Sequence, residues 1–131
     1  MGKTYEVETL DTKEFPSKVI PEPYKRSLQV ILDKIDGDNV GDFTFLLSTL
    51  FPYEGKTDSH THPVDELIYI TSGYGYSVYE GKKTPIQAGS FIYAKAGKEH
   101  QCVNESNETM RLVCIYIPAL PEESIKKIRS T

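Results

Sequence analysis

The stretch Gly55-Lys-Thr-Asp-Ser-His60-Thr-His62-Pro-Val-Asp-Glu66-Leu-Ile-Tyr-Ile-Thr-Ser-Gly73 decides how the rest of the chain is read. His60 and His62 are two residues apart. On extended backbone, residues i and i+2 point to the same face. Both imidazoles can therefore address one point. Pro63 cannot donate to a central ladder and marks a bend. Beyond it, Glu66, Ile68 and Ile70 share one face of the next strand. A carboxylate at the head of that apolar face needs a partner, because a bare buried charge is costly. Two imidazoles and one carboxylate converging on a point make a donor set for a divalent metal. Taken alone, His60-Thr-His62 also fits a solvated pair at a strand end.

The third and last histidine of the chain lies in a second ordered stretch, Gly89-Ser-Phe-Ile-Tyr-Ala-Lys95-Ala-Gly97-Lys-Glu-His100-Gln-Cys-Val-Asn104. Here a resemblance becomes specific. The first stretch resembles cupin motif 1, a glycine, His-x-His, a glutamate and a second glycine, met by His60, His62, Glu66 and Gly73. Gly55 stands one residue nearer to His60 than the family pattern has it, which implies a shorter entry loop. The second stretch resembles cupin motif 2, met by Gly89, Gly97, His100 and Asn104. Lys95 stands where the family has proline, which implies a less rigid turn. The two motifs cover residues 55–104. The resemblance implies an all-β fold, a single-domain jelly-roll β-barrel, with His60, His62, Glu66 and His100 as metal ligands.

Composition agrees with that size and class. The chain of 131 residues suits one domain with one core. Hydrophobic residues make up 38% and charged residues 26%, as in a soluble globule. The net charge of −4, with signs mixed, argues against a nucleic-acid partner. No apolar run reaches membrane-spanning length, so no membrane partner is expected. The N-terminus, Met1-Gly-Lys-Thr-Tyr-Glu6, lacks an apolar signal region, and a cytoplasmic location follows. In such a reducing compartment Cys102 and Cys114 are expected as free thiols.

Along the chain, residues 1–27 read as a strand-like N-terminal arm broken by Pro16, Pro21 and Pro23, with a strand at Tyr5–Thr9. Such arms mask sheet edges of neighbouring subunits, so a homodimer is expected. Ser27–Ile35 reads as a strand with Leu28, Val30 and Leu32 on one face, and Asp36–Asn39 as a turn. The barrel core spans residues 40–118. It holds strands at Phe43–Phe51, Glu66–Thr71, Tyr74–Glu80, Thr84–Gln87, Ser90–Ala94, His100–Asn104 and Met110–Ile117, with a hairpin loop at Gly81–Lys83. Short strands at close, regular spacing indicate a sandwich or barrel. Residues 121–131 form a C-terminal helix and tail, with Glu122 and Glu123 early and Lys126 and Lys127 late, as the helix dipole prefers.

Three neutral imidazoles and one carboxylate around a dication leave a net charge near +1 and about two open positions on a six-coordinate ion. Manganese, iron, nickel, cobalt and zinc all suit this set, while calcium and magnesium prefer oxygen. Affinity is expected to fall below about pH 6, where histidine charges. A residual positive charge in an apolar barrel suits a small anionic or sugar-derived ligand. The catalytic residues are unknown from sequence; Tyr76 and Arg111 are weak candidates, the first as a hydroxyl donor and the second as a carboxylate clamp. Family likeness implies an enzyme of dioxygenase, isomerase or lyase/decarboxylase type. The alternative is a non-catalytic module that binds or senses a small ligand.

Overall fold

The computed structural model describes residues 9–34 and 40–129. The expected turn at Asp36–Asn39 and all but the last residue of the expected strand at Tyr5–Thr9 lie outside the described residues. Among the described residues a short 3-10 helix (Thr12–Glu14) precedes nine strands and one α-helix: β1 (Lys18–Ile20), β2 (Arg26–Asp33), β3 (Thr44–Leu50), β4 (Asp65–Ser72), β5 (Tyr74–Tyr79), β6 (Lys82–Gln87), β7 (Phe91–Ala94), β8 (His100–Asn104), β9 (Met110–Ile117) and α1 (Glu122–Arg129). They form a six-stranded sheet, β1-β2-β3-β9-β4-β7, and a three-stranded sheet, β6-β5-β8. Every pairing is antiparallel. The all-β jelly-roll expectation holds.

Alternation along the strands builds the core. Leu46 and Leu50 of β3, Ile68 and Ile70 of β4, and Met110, Leu112 and Cys114 of β9 all point inward and are buried. Each such aliphatic side chain contributes roughly 1.5–3 kcal/mol on leaving water. β5 turns Gly75 and Ser77 inward and its tyrosines outward. A Cβ on Gly75 would lie 1.9 Å from the Val103 carbonyl oxygen, so only glycine allows β5 and β8 to approach this closely.

Three boundaries differ from expectation. A register shift in β2 between Val30 and Leu32 breaks the alternation. Leu28 and Val30 face the core as expected, but Ile31 and Asp33 are buried beyond the shift and Leu32 is not. Lys82 and Lys83 belong to β6 and not to a loop. The reversal is the two-residue turn Glu80-Gly81, with φ of 49° and 82°, a pairing of positive angles that suits the twist of a tight hairpin. Part of the N-terminal arm is internal to the subunit, since Lys18–Ile20 pairs with Arg26–Leu28 of the same chain.

The helix closes one end. Ser124 N–H donates to the Pro121 carbonyl at 2.9 Å, and Ile125 is fully buried while Ile128 packs on the core. α1 lies against β2, and Lys18 Nζ donates to the Lys127 carbonyl at 2.9 Å.

Candidate metal centre

The two histidine stretches are stapled together by backbone. His60 and His100 form a bridge, with His60 N–H to the His100 carbonyl at 3.4 Å and the reverse bond at 3.2 Å. Gly97 N–H donates to the His62 carbonyl at 2.9 Å. Gly97 sits at φ 79°, which a glycine adopts without strain, in a turn closed by Lys98 N–H to the Lys95 carbonyl at 3.0 Å. No proline stiffens this turn. The Asp65 carboxylate ties it instead, accepting from Ala96 N–H at 2.8 Å and Tyr93 O–H at 2.7 Å. Those two donors hold the Asp65 pKa below its ordinary value.

Three donor side chains then converge, and His60 joins them through His62. Glu66 is delivered by the inward parity of β4, and His100 by the first residue of β8. His100 Nε2 lies 2.9 Å from Glu66 Oε1, His62 Nε2 lies 3.4 Å from the same oxygen, and His60 Nε2 lies 2.9 Å from His62 Nε2. One donor atom from each of His62, Glu66 and His100 falls within 4.8 Å of the others.

The donor chemistry of this cluster fits a cation. His60 Nδ1 is 2.7 Å from the Asp58 carbonyl and His100 Nδ1 is 3.0 Å from the Lys98 carbonyl. A carbonyl only accepts, so both Nδ1 atoms carry the proton. In neutral rings the Nε2 lone pairs of His60 and His100 are then bare. One faces another imidazole nitrogen and the other a carboxylate oxygen. Lone pairs at 2.9 Å need a proton or a metal ion between them.

Without a metal, protons take that part. Burial alone would raise Glu66, but hydrogen bonds with His100 and His62 outweigh it and carry it down to about 2. Burial opposes charge on His100, yet the Glu66 carboxylate and the Lys98 carbonyl hold its pKa above the ordinary value. His60 is lowered, first by burial and then by the neighbouring His62. Glu66 and His60 are thus already in the state a metal requires, whereas His100 must give up its proton when one binds.

A cavity of about 360 Å³ opens beside the cluster. Arg26, Leu28, Leu46, His60, His62 and Tyr116 are among its walls. Tyr116 pairs with Glu66 across β9 and β4, and its ring meets His62 edge-on with centroids 5.1 Å apart. Burial, then the adjacent Glu66, pushes the Tyr116 hydroxyl far above its ordinary pKa, so it stays protonated. Cys102 and Cys114 are free and buried. Burial, then Glu66, raises the Cys102 thiol to about 12 and pushes Cys114 well above its ordinary value, which leaves both unreactive.

The structure brings His60, His62, Glu66 and His100 together. It does not bring Tyr76 or Arg111 to them. Tyr76 occupies an outward position of β5, with the Lys83 ammonium 4.0 Å from its ring centre. Arg111 is exposed and pairs with Thr49 and Ser72, at the opposite end of β9 from Tyr116. Two cavity residues, Arg26 and Tyr116, were not singled out from sequence. The inward parity of β9 was available for Tyr116. Nothing local marked Arg26.

Fold and site together define a small β-barrel built to gather imidazoles and a carboxylate. The family model for the cupin domain matches residues 47–116, more than half of the chain, and the chain belongs to the cupin family. Among solved structures it is similar to a predicted oxalate decarboxylase from Thermotoga maritima, with 22% identity, a TM-score of 0.74, and coverage of 85% of this chain and 99% of that one. It is similar to the polyketide cyclase RemF from Streptomyces resistomycificus, with 19% identity, a TM-score of 0.70, and coverage of 85% and 79%. KdgF from Halomonas sp. aligns at 14% identity and a TM-score of 0.67 over 95% of this chain and 99% of that one. These likenesses establish the shared fold. A comparison with curated proteins finds no match. Among the described residues no helix is long and apolar enough to cross a membrane.

Proposed function

We propose that the chain binds one divalent transition-metal ion, manganese, iron, nickel, cobalt or zinc, through His60, His62, Glu66 and His100, and acts on a small anionic or sugar-derived substrate held beside it. The single observation behind this is the run of 2.9–3.4 Å contacts that links His60 Nε2 to His62 Nε2, and His62 and His100 Nε2 to Glu66 Oε1. When bound, the metal supplies a Lewis acid that polarises a substrate oxygen and offsets developing negative charge.

The chain's own residues do the rest. The Asp58 and Lys98 carbonyls orient two imidazoles and fix their tautomers. Leu28 and Leu46 keep the cavity wall apolar, which strengthens polar interactions inside it. Tyr116 offers a protonated hydroxyl next to Glu66. Dioxygenase, isomerase and lyase or decarboxylase chemistry all suit this arrangement. The names of the Thermotoga and Streptomyces proteins, a decarboxylase and a cyclase, are consistent with small-molecule turnover on the same fold.

In this account all 131 residues form one domain that acts in the cytoplasm as a homodimer, with no nucleic-acid partner. The dimer draws support from Tyr69, Phe91, Tyr93 and Ile117, which are exposed on the outer side of the six-stranded sheet. The test is metal identification on purified protein, then a screen of hydroxy acids, keto acids and sugars with and without oxygen. Oxygen uptake indicates dioxygenation, and conversion without it indicates isomerase or lyase chemistry. No turnover of any compound by the metal-loaded chain would contradict the enzymatic part.

A further inference from the structure

Among the described residues, Arg26 is the one buried cation for which no ion pair forms. It begins β2 on the inner face and is 7% exposed. Its side chain leans along β3, where Nη2 donates to the Ser48 hydroxyl at 3.0 Å. Its Nε is buried and has no hydrogen-bond partner. Ion pairs among the described residues join Lys34 to Asp42, Lys126 to Glu122, and His62 and His100 to Glu66; none involves Arg26.

A lysine or histidine in such a place can shed its proton. A guanidinium cannot. A buried charge without a partner is strongly unfavourable, and one serine hydroxyl does not compensate it. The group lines the same cavity as His60 and His62, so an anion entering that cavity meets it directly.

We infer that Arg26 is the anchor for the substrate's charged end, and that the cavity takes a small monocarboxylate with an apolar body. The planar fork of the guanidinium matches a carboxylate, and the unpartnered Nε leaves part of its donor capacity unspent. The neighbouring walls, Ile20, Leu28, Leu46 and Leu120, are apolar and suit a hydrocarbon body. Lys18 and Lys127 also line the cavity, against the single carboxylate of Asp58, and that balance favours an acid over a neutral ligand. The volume of about 360 Å³ is roughly a dozen waters' worth of space, enough for a short-chain acid. With its carboxylate at Arg26, the acid directs its other end toward His60 and His62; only that last placement rests on the function proposed above.

The test uses the full chain loaded with manganese(II). Calorimetry measures binding of hexanoate, of hexan-1-ol as its uncharged counterpart, and of inorganic phosphate. Hexanoate should bind at least about tenfold more tightly than either. Arg26→Met and Arg26→Gln should each weaken hexanoate by about tenfold or more while keeping the manganese content of the parent. The parent chain stripped of manganese by a chelator should keep hexanoate affinity within about threefold. Unchanged hexanoate affinity in a folded Arg26 variant overturns the inference. So does loss of hexanoate binding together with the metal, or tighter binding of phosphate than of hexanoate. Should both Arg26 variants fail to fold, equal affinity of the parent for hexanoate and hexan-1-ol overturns it. A parent chain that takes up no manganese removes the metal proposal alone and leaves the hexanoate comparison intact.

Discussion

Glu66 and His100 join the two sheets of the barrel: Oε1 of one lies 2.9 Å from Nε2 of the other across 34 residues of sequence. β4 belongs to the six-stranded sheet and β8 to the three-stranded one. The site is therefore also a closure of the fold, and its protonation bears on stability.

Stability of the metal-free chain should depend on pH through this pair. His100 is raised above its ordinary 6.5, so its contribution is complete below 6.5 and fades as pH rises through the folded value. Glu66 is lowered from 4.5 to about 2, so its contribution is present above 4.5 and fades as pH falls toward 2. His60 opposes them, because a lowered imidazole pKa weakens the fold below 6.5. Glu66→Gln isolates the pair. The melting-temperature difference between parent and Glu66→Gln should be largest between pH 4.5 and 6.5. In the same variant the His100 titration followed by NMR should move down. A difference that does not change with pH would show that the pair is not charged in the metal-free chain.

Asn104, the asparagine of the second motif, has a structural part. It is fully buried; its amide donates to the Leu50 carbonyl at 3.1 Å and the Glu108 carbonyl at 2.8 Å, and its carbonyl accepts from Ser106 N–H at 2.9 Å and Ser106 O–H at 2.7 Å. Asn104→Ala leaves those groups unpaired and should destabilise by about 3 kcal/mol, measured by urea unfolding. Metal content of the folded fraction should not change. A loss below about 0.5 kcal/mol would mean that water replaces the amide.

The outer side of β4 and β7 carries Tyr69 opposite Phe91 and Leu67 opposite Tyr93, on the edge of the six-stranded sheet. The full chain should sediment as a dimer, and Tyr69→Lys/Phe91→Lys should sediment as a monomer with its metal content unchanged. A parent chain that sediments as a monomer would contradict the dimer.

The metal donors were legible because strand parity and motif spacing are local signals. His60, His62 and Glu66 lie within one segment, and Met110–Ile117 alternates without interruption. Arg26 was not legible. It stands one residue before the strand expected at Ser27, and arginine at a strand end is ordinarily solvated. Only the closure of β2 over β3 puts it inside. The shift at Val30/Leu32 was equally invisible, and the hairpin expected at Gly81–Lys83 was found with its bounds moved to Glu80-Gly81, because each depends on how a partner strand is paired. Tyr76 and Arg111 failed as candidates on parity and on end of strand. Gly75 and Ser77 take the inward positions of β5, and Arg111 stands at the end of β9 away from Glu66.

The most direct test of the metal centre is a titration of chelator-treated protein with manganese, iron, nickel, cobalt and zinc, followed by elemental analysis. The parent chain should retain one ion per subunit, and affinity should fall as pH drops, because His100, held above its ordinary 6.5, takes up the proton that a metal must displace. His60→Ala/His62→Ala should retain none. A parent chain that binds no ion, or a double variant that binds as tightly as the parent, would contradict the account.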